Sequence, residues 1–358
     1  MRVRDGPAAV RGDALPPRRH WPTGREGGGG GGPESEDLPL SRRLDPLAEG
    51  RRRCTHGRFA LAAALSALAL VLVPAASATS SATPAAFPAT ITVFNGKVTV
   101  AKRPSRIVSL SATATETLFA IGAGRQVIAV DERSDYPAAA PRTTLSGFTP
   151  NVEAIAAYRP DLVVISYDPK GLSEALGRLG IPVVHQDAAA TLRGAYQQIR
   201  QLGKVTGHTV EATRLVTSMK QRIAAIVARN RAKATGVTVY HELDPTLFSL
   251  TSNTFVGRVY AMFGLRNIAD AAKGGTEYPQ LSPEYVVAAN PGLIVLADTV
   301  CCEQSVRTVA ARPGWSRIAA VRTGSVVRLD DSIASRWGPR LVNLVRAVGT
   351  ALQRLGRQ

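Results

Sequence analysis

The sequence is poor in cysteine and in aromatic residues. Its 358 residues include three cysteines, and aromatic side chains make up 5% of the chain. Cys54 precedes an apolar segment that we assign below to an export signal, so the folded part keeps only the adjacent pair Cys301 and Cys302. This excludes a framework of long-range disulfides. The pair could form a strained ring, bind a soft metal or stay reduced in a loop, and the scarcity of further ligands nearby favours the loop.

Signatures of the common enzyme classes are also missing. The sequence contains no G-x-S-x-G nucleophile elbow, no P-loop and no H-E-x-x-H zinc motif. The segment GAGRQV, which begins at Gly122, lacks the third glycine of a dinucleotide-binding loop, and the five histidines are scattered along the chain. We therefore predict a protein without catalysis, bound metal or cofactor.

The N-terminal region has the composition of a segment that does not fold. Residues 1–58 are rich in Arg, Gly and Pro and show no apolar periodicity, which predicts disorder. Residues 59–78 combine an uncharged apolar run, Phe59–Val73, with a small-residue cleavage motif that ends at Ala78, and arginines precede the run. This pattern predicts a signal peptide that is cleaved before Thr79.

The apolar run is too short for a membrane span, which needs about 20 residues. A lipid anchor would require a cysteine just after this run, whereas Cys54 precedes it. The sequence therefore predicts an exported protein, in the cell envelope or secreted, without a lipid anchor.

The chain is strongly basic, with a formal net charge of +17. Twelve arginines and eight acidic residues precede Thr79, so the predicted mature chain keeps a charge of +13. A basic surface can suit nucleic acid or an anionic cell surface. The basic residues are nevertheless scattered, with few aromatics among them, and the protein is predicted to be exported. We therefore interpret the charge as mostly solvated surface and expect no nucleic-acid partner.

A strand followed by small hydroxyl residues opens the folded part. In SRIVSLSATATETLFAIGAG, Ile107–Leu110 has the composition of a buried strand, and a helical pattern follows with Thr113 and Glu116 as a predicted capping box. Ligands of open α/β sheets bind where strands end and helices begin. The loop around Ser111 is therefore a candidate wall of a binding cleft. The alternative is that these hydroxyls only cap and solvate a turn.

One sequence unit occurs twice. NVEAIAAYRPDLVVI (151–165) aligns without a gap on SPEYVVAANPGLIVL (282–296), which matches Glu153 with Glu284. Each copy predicts a short helix followed by a buried, parallel-type strand of branched residues. The repeat predicts two similar α/β lobes.

Between the two copies lies a long helical pattern with an apolar stripe at Val210, Leu215, Met219, Ile223 and Ile226. The predicted organisation is a lead-in (79–104), an N-terminal lobe (105–192), a helical linker (193–235) and a C-terminal lobe (236–358). We thus predict two Rossmann-like lobes that are joined by one long backbone helix and enclose a ligand cleft. A helix of more than 20 residues as the only connection predicts small closing motions.

The order and spacing of several short motifs resemble one family. The chain is similar to the exported substrate-binding proteins of ABC importers for iron complexes, haem and vitamin B12, and the members that bind vitamin B12 look closest. The resemblance rests on the opening stretch and on the segments SDYPAAA, NVEAIAAYRPDLVVIS, LGIPVV, YPQLSPEYVVAANPGLIVL, ARPGW and SRWGPRL. It implies a receptor that captures a ferric siderophore or a corrinoid and delivers it to an ABC permease. We also expect a monomer.

The resemblance gives the repeated glutamates a role. In the family, one acidic residue on each lobe docks into arginine pockets of the permease, and Glu153 and Glu284 occupy those motif positions. Paired charges at the two ends of a rigid body fix orientation and accelerate encounter. The alternative is that each carboxylate stabilises only its own helix macrodipole.

The resemblance also implies a ligand-binding set. Tyr167 and Tyr278 match positions where the B12 binders carry aromatic walls, and Phe148 lies beside a third such position, which is Gly147 here. Flat rings suit a flat macrocycle, although each of these aromatics could instead pack in the core. Tyr or Gly where those relatives have Trp leaves corrinoid specificity open. The predicted ligand-binding residues are Ser111, Arg133, Tyr136, Phe148, Tyr167, Tyr278, Asp331, Arg336 and Trp337.

Two other functions are considered. A haem receptor is the first, because tyrosine can ligate haem iron and His185, which follows a predicted strand, could be an axial ligand. For His185 the favoured interpretation is a strand-end residue without a metal role. The second is an enzyme subunit of nitrogenase-like architecture that handles a tetrapyrrole or a metal cluster. That function needs several cysteine ligands, so the single cysteine pair and the export signal both count against it.

Overall fold

The computed structural model describes residues 86–272 and 274–355. The extension and signal peptide predicted for residues 1–78 lie outside the described residues. The folded part begins with an antiparallel hairpin of β1 (Ala89–Val93) and β2 (Gly96–Val100). Gln201 Nε2 donates to the carbonyl of Thr92 at 2.6 Å. This bond ties the hairpin to the helical region that follows the first lobe.

The first lobe is built on a four-stranded parallel sheet. Its spatial order is β4-β3-β5-β6. All residues of β3 and β5 are buried, because helices cover both faces of the sheet, and this explains why both strands are apolar apart from Ser109. The strands are β3 (Ile107–Leu110), β4 (Val127–Val130), β5 (Leu162–Ile165) and β6 (Val183–His185), and the helices are α1 (Ala112–Ala120), α2 (Val152–Ala157) and α3 (Leu172–Arg178).

The second lobe contains another four-stranded parallel sheet, in the order β10-β9-β7-β8. Its strands are β7 (Thr238–Glu242), β8 (Arg266–Asn267), β9 (Leu293–Leu296) and β10 (Val326–Arg328). Its helices are α6 (Phe255–Phe263), α7 (Pro283–Ala289), α8 (Val306–Ala310), α9 (Ala319–Arg322), α10 (Asp331–Ser335) and α11 (Leu341–Leu355). Short 3-10 turns lie at Gly124–Gln126, Pro169–Gly171, Arg231–Ala234, Ile268–Ala271 and Trp315–Arg317.

The two sheets have the same topology. In each, the first strand along the chain lies between the second and the third, and the fourth lies at the far edge. The duplicated sequence unit forms α2 with β5 in one lobe and α7 with β9 in the other. Asn151 and Ser282 cap the two helices, each accepting from the backbone N–H three residues on. The prediction of two similar α/β lobes is confirmed.

A helical connection joins the lobes. It comprises α4 (Leu192–Thr206), α5 (Thr209–Asn230) and the 3-10 turn at residues 231–234. A Cβ added at Gly203 would meet the Cβ of Ala212 at 2.3 Å, so only glycine allows α4 and α5 to pack this closely. The predicted helix of more than 20 residues is α5, with 22. Its buried residues include Met219 and Ile223 of the predicted stripe.

One hydrophobic core runs through both lobes. It contains side chains from the first sheet, such as Ile107, from α5, such as Val216, and from the second sheet, such as Val239. Separate clusters fill the outer face of each sheet, around Ile155 in the first lobe and Val286 in the second. Because the central core is continuous, the two lobes and the helical connection form one packed body.

The predicted capping box of α1 is wrong. Ser111, not Thr113, caps the helix, and its Oγ accepts from the N–H of Ala114 at 3.3 Å. Glu116 is buried and binds two arginines of the second lobe instead of the backbone at the helix start. The S/T-x-x-E pattern gave a wrong prediction because the Glu116 carboxylate forms a long-range ion pair and is not available to a local cap.

Candidate functional site

Four aromatic side chains lie exposed in loops between strands and helices. Among the described residues, eight large hydrophobic side chains are exposed, and half of them are predicted ligand-binding residues. They are Tyr136 (47% exposed), Phe148 (66%), Tyr167 (52%) and Tyr278 (37%). Tyr136 and Phe148 lie between β4 and α2, Tyr167 directly follows β5, and Tyr278 precedes α7. The alternative that these rings pack in the core is therefore wrong, and their contact with a ligand stays a prediction.

Gly147 explains why Phe148 carries the ring in its loop. A Cβ at Gly147 would lie 2.9 Å from Asp131 Oδ2 and 3.1 Å from the carbonyl of Leu110. No side chain fits between these two groups without a shift of the backbone or of the carboxylate. An aromatic side chain in this loop therefore has to sit at the next position, where Phe148 is.

Hydroxyl groups line the end of the first sheet. Thr115 Oγ1 lies 2.9 Å from Ser109 Oγ and 3.0 Å from Ser134 Oγ, and all three residues are buried. Asp131 lies beside them and accepts from the N–H of Arg133 at 2.9 Å. Burial raises the pKa of the Asp131 carboxyl above its usual range. The end of this sheet is thus polar, with its hydroxyls already bonded to one another.

The end of the second sheet carries buried charge instead. Glu242, the last residue of β7, is fully buried and accepts two bonds of 2.6 Å from the guanidinium of Arg312. Tyr240 donates to the same carboxylate at 3.1 Å, and the Arg312 guanidinium lies 4.5 Å from the ring centroid of Trp315. A bidentate pair of this kind fixes both side chains in one geometry.

A second buried carboxyl, Asp298, faces this pair. No described hydrogen-bond donor reaches its side-chain oxygens. Burial, and next the charge of Glu242, raise the pKa of Asp298 to about 8. At neutral pH this carboxyl is therefore protonated and can donate its proton to Glu242, so the second lobe buries one net carboxylate against one arginine.

Asp331 orders the loop that follows β9. Its carboxylate accepts from the N–H groups of Val300 and Cys301, at 3.0 and 2.8 Å. Cys301 and Cys302 are both free thiols. Burial, with hydrogen bonds to Cys302 and Asp331, raises the pKa of the Cys301 thiol above its usual range. Asp331 thus acts on this loop through protein contacts, and its contact with a ligand stays a prediction.

Arg336 bridges the two lobes. Its guanidinium donates to Glu116 at 2.8 Å, to Asp135 at 2.9 Å and to the carbonyl of Arg133 at 2.9 Å. Arg340 donates twice to Glu116, at 2.6 and 3.0 Å, and its guanidinium lies 4.3 Å from the ring centroid of the exposed Tyr136. These contacts bring the loop after β4 next to the segment between α10 and α11. Ligand contacts of Arg133 and Arg336 stay predictions.

Trp337 and His185 also have protein partners. Trp337 Nε1 donates to Gln198 Oε1 of α4 at 2.7 Å. His185 is buried, and its ring lies edge-on to Phe94 at 4.8 Å between centroids. Within residues 86–272 and 274–355, no group of three or more His, Cys, Asp or Glu side chains is arranged to hold a metal ion. In the same part of the chain, no helix has the length and apolarity of a membrane span.

The repeated glutamates occupy equivalent places on the two lobes. Glu153 and Glu284 both lie in the first turn of a short helix and are exposed. Two residues on, Ile155 and Val286 are fully buried in the outer clusters. Each glutamate therefore stands on a helix that is anchored to its own sheet.

Two groups of charged residues were not predicted from the sequence. One is the cluster of Glu242, Asp298 and Arg312, and the other is the bridge from Glu116 to Arg340. Glu242 is 70 residues from Arg312, and Glu116 is 224 residues from Arg340, so no local spacing marks either pair. The only available sign was an acidic residue directly after an apolar strand, as in TVYHE and LIVLAD.

Comparison with known proteins identifies the family. Residues 107–333 match the family model described as periplasmic binding protein. An uncharacterized ABC transporter substrate-binding lipoprotein of Bacillus subtilis is 31% identical over 276 residues, which cover 74% of this chain and 86% of that protein. A cobalamin-binding protein of Halobacterium salinarum is 29% identical over 316 residues, covering 83% of this chain and 85% of the relative.

A solved structure agrees with this assignment. The periplasmic vitamin B12 binding protein of Vibrio cholerae superposes with a TM-score of 0.57 at 25% identity, covering 71% of this chain and 98% of that one. The family match, over residues 107–333, spans both sheets and the helical connection. The chain therefore belongs to the periplasmic binding protein family.

Proposed function

We propose that this protein is the extracytoplasmic receptor of an ABC importer and that it captures a corrinoid or a ferric siderophore between its two lobes. It releases the ligand chemically unchanged to the permease. The relatives named for cobalamin or vitamin B12 binding favour a corrinoid within this class. A haem receptor is the alternative, since exposed tyrosine hydroxyls such as that of Tyr167 suit iron.

The observation that carries this proposal is the exposure of aromatic rings on both lobes. Tyr136, Phe148 and Tyr167 belong to the first lobe and Tyr278 to the second. Exposing such rings to water is unfavourable, and each would bury roughly 150–250 Å² in a complex. A rigid, flat ligand such as a macrocycle can cover rings from both lobes at low cost in conformational entropy.

The contacts between the lobes support capture by a small closing motion. Arg336 and Arg340 tie the second lobe to Glu116, Asp135 and Arg133 of the first lobe. Trp337 bonds to Gln198 of the helical connection, and the central core continues through α5. A wide hinge opening would break these buried contacts. We therefore propose that the lobes move by a few degrees and that the exposed loops adapt to the ligand.

Delivery to the permease is proposed to depend on Glu153 and Glu284. Both carboxylates are free of ion pairs among the described residues, so each can accept an arginine of a partner. Their matched places on two anchored helices give the receptor a fixed two-point contact. The predicted signal peptide would bring the protein to the outer side of the membrane, where this contact takes place.

A fluorescence titration tests the ligand class. Cyanocobalamin, haemin and a set of ferric siderophores are added separately to the folded chain, with the half-buried Trp337 at the lobe junction as reporter. Saturable quenching at sub-micromolar cyanocobalamin supports a corrinoid receptor, and the same response to haemin alone supports the alternative. If none of these compounds gives a saturable response, the proposed ligand class is wrong.

A further inference from the structure

The helical connection is the most basic part of the folded chain. Residues 192–234 contain nine Lys and Arg and a single acidic residue, Glu211, so this segment of 43 residues carries a charge of +8. The rest of the predicted mature chain carries only about +5, which follows from its total of +13. All nine cations are exposed, and none forms an ion pair with a described residue. Their charge is therefore available to a partner.

Three of these cations surround a groove. A cavity of about 180 Å³ opens on the surface of the connection and is lined by Arg193 and Arg200 of α4, Lys220 of α5 and Tyr196. Lys220 Nζ lies 5.4 Å from the centroid of the Tyr196 ring. Arg193, Tyr196 and Arg200 follow one another at helical spacing, so their side chains share one face of α4.

Tyr196 forms part of the wall of the groove. Only 6% of the residue is exposed, but its hydroxyl is not one of the buried, unpartnered polar atoms of the described residues. The hydroxyl is therefore open to solvent at the groove, where it can donate to an anion. An anion in the groove would accept from this hydroxyl and from the cations around it.

From these observations, we infer that the groove between α4 and α5 binds phosphate groups of a linear, phosphate-bearing polymer outside the cell. Guanidinium forks pair with phosphate oxygens in a bidentate manner, and the adjoining exposed cations extend the contact along the chain of the polymer. This contact would hold the receptor near the cell envelope. It is separate from the capture of the ligand between the lobes.

The occupant is a polymer and not a lipid bilayer. Proteins that settle on a bilayer usually insert apolar side chains beside their cations. Among the described residues of the connection, from 192 to 234, none is an exposed large hydrophobic side chain. The groove is also concave. A single phosphate group that projects from a flexible chain can therefore enter it, whereas a flat bilayer surface cannot.

Binding to long-chain inorganic polyphosphate tests the inference. The full chain is titrated with fluorescently labelled polyphosphate at several salt concentrations, and Arg193→Gln/Arg200→Gln/Lys220→Gln is compared with the control Arg307→Gln/Arg317→Gln/Arg322→Gln. The control removes the same charge from exposed positions of the second lobe, outside the helical connection. All variants share the N-terminal arginines, so differences between them report on the substituted cations alone.

We expect the groove variant to bind at least about fivefold more weakly and the control to change by less than about twofold. The slope of log K against log salt should become shallower by about 2 in the groove variant, from roughly 0.7 for each lost phosphate contact to a single-stranded polymer. Tyr196→Phe should weaken binding about twofold at an unchanged salt slope, because it removes a hydroxyl and no charge.

Three results would overturn the inference. The first is an equal loss in the groove and control variants, which would mean that only net charge matters. The second is no binding of polyphosphate by the wild-type chain at low salt. The third is binding to vesicles of phosphatidylcholine and phosphatidylglycerol that the groove variant weakens while polyphosphate binding stays unchanged. Circular dichroism at each step confirms that the variants are folded.

Discussion

The two lobes share a topology but differ in the chemistry at the ends of their sheets. In the first lobe, the buried hydroxyls of Ser109, Thr115 and Ser134 bond to one another. In the second, Glu242 is paired with Arg312 next to a protonated Asp298. The duplicated unit, α2–β5 and α7–β9, kept its helix cap and its exposed glutamate in both copies. Both copies thus kept the same helix cap and exposed glutamate, whereas the sheet ends diverged.

The lobes also contribute differently to their junction. The first lobe supplies the acceptors, Glu116 and Asp135, and the second supplies the cations, Arg336 and Arg340. The buried charge of one lobe is therefore satisfied only when the other is packed against it. This asymmetry makes the folded receptor one body, although its sheets are two copies of one design.

The largest effect is expected for the repeated glutamates, which the two lobes have in common. Replacing both Glu153 and Glu284 by alanine should abolish uptake of the ligand by cells that depend on this protein, because both permease contacts are lost. Each single replacement should give a partial loss. Ligand affinity, measured by titration of the purified variant, should stay within about twofold of wild type, because neither glutamate is one of the exposed aromatic residues that are proposed to contact the ligand.

A matched control is Glu174→Ala, which removes an exposed carboxylate from α3 of the first lobe. It should leave uptake unchanged. If the double variant loses affinity for the ligand, or if it still supports normal uptake, the docking role of the repeated glutamates is wrong.

The next largest effect concerns the ion pair that the second lobe buries at the end of its own sheet. Glu242→Ala leaves the Arg312 guanidinium without its partner and should lower the free energy of unfolding by about 3–5 kcal/mol, measured by urea denaturation. Glu174→Ala breaks an exposed ion pair with Arg178 and should cost less than about 1 kcal/mol. Similar losses of unfolding free energy in the two variants would mean that the buried pair contributes no more to stability than the exposed one.

A smaller effect is expected at the junction. Glu116→Gln weakens the bonds to Arg336 and Arg340 and should cost about 2 kcal/mol of unfolding free energy. It should also change the fluorescence of Trp337, because this residue lies next to Arg336 and bonds to α4. An unchanged spectrum together with unchanged stability would show that the bridge does not hold the lobes together.

The sequence predicted the parts of this architecture that have a local or repeated signal. Two lobes, the duplicated unit and the 22-residue helix follow from apolar periodicity and self-similarity. The bridge between Glu116 and Arg340 and the cluster at Glu242 could not be predicted, because their partners come together only after folding. The predicted capping box of α1 was wrong for the same reason, because Glu116 binds arginines that are distant in the sequence. The exposure of Tyr167 and Tyr278 agrees with their predicted role, and their contact with the ligand stays a prediction.

The smallest effect is a pH dependence confined to the second lobe. Asp298 has a pKa of about 8 in the folded chain, against 3.8 ordinarily, so between these values the folded state holds a proton that the unfolded state lacks. Its contribution to stability therefore falls as pH rises from about 4 to 8. Asp298→Asn removes this loss, because the amide can still donate to Glu242 and never ionises.

The thermal midpoint of Asp298→Asn, relative to wild type, should therefore be higher at pH 8 than at pH 5. The control Asp187→Asn changes an exposed residue of the first lobe and should shift the midpoint by the same amount at both pH values. If the advantage of Asp298→Asn does not increase with pH, the buried carboxyl is not protonated at neutral pH.

Aromatic rings from both lobes are proposed to hold one ligand between them. The most direct test is a titration with cyanocobalamin of the wild-type chain, Tyr167→Ala, Tyr278→Ala and the double variant. Each single variant should raise Kd about tenfold, which corresponds to about 1.4 kcal/mol, and the double variant should lose at least as much as the two combined. Saturable binding that neither substitution weakens would contradict a site shared between the lobes.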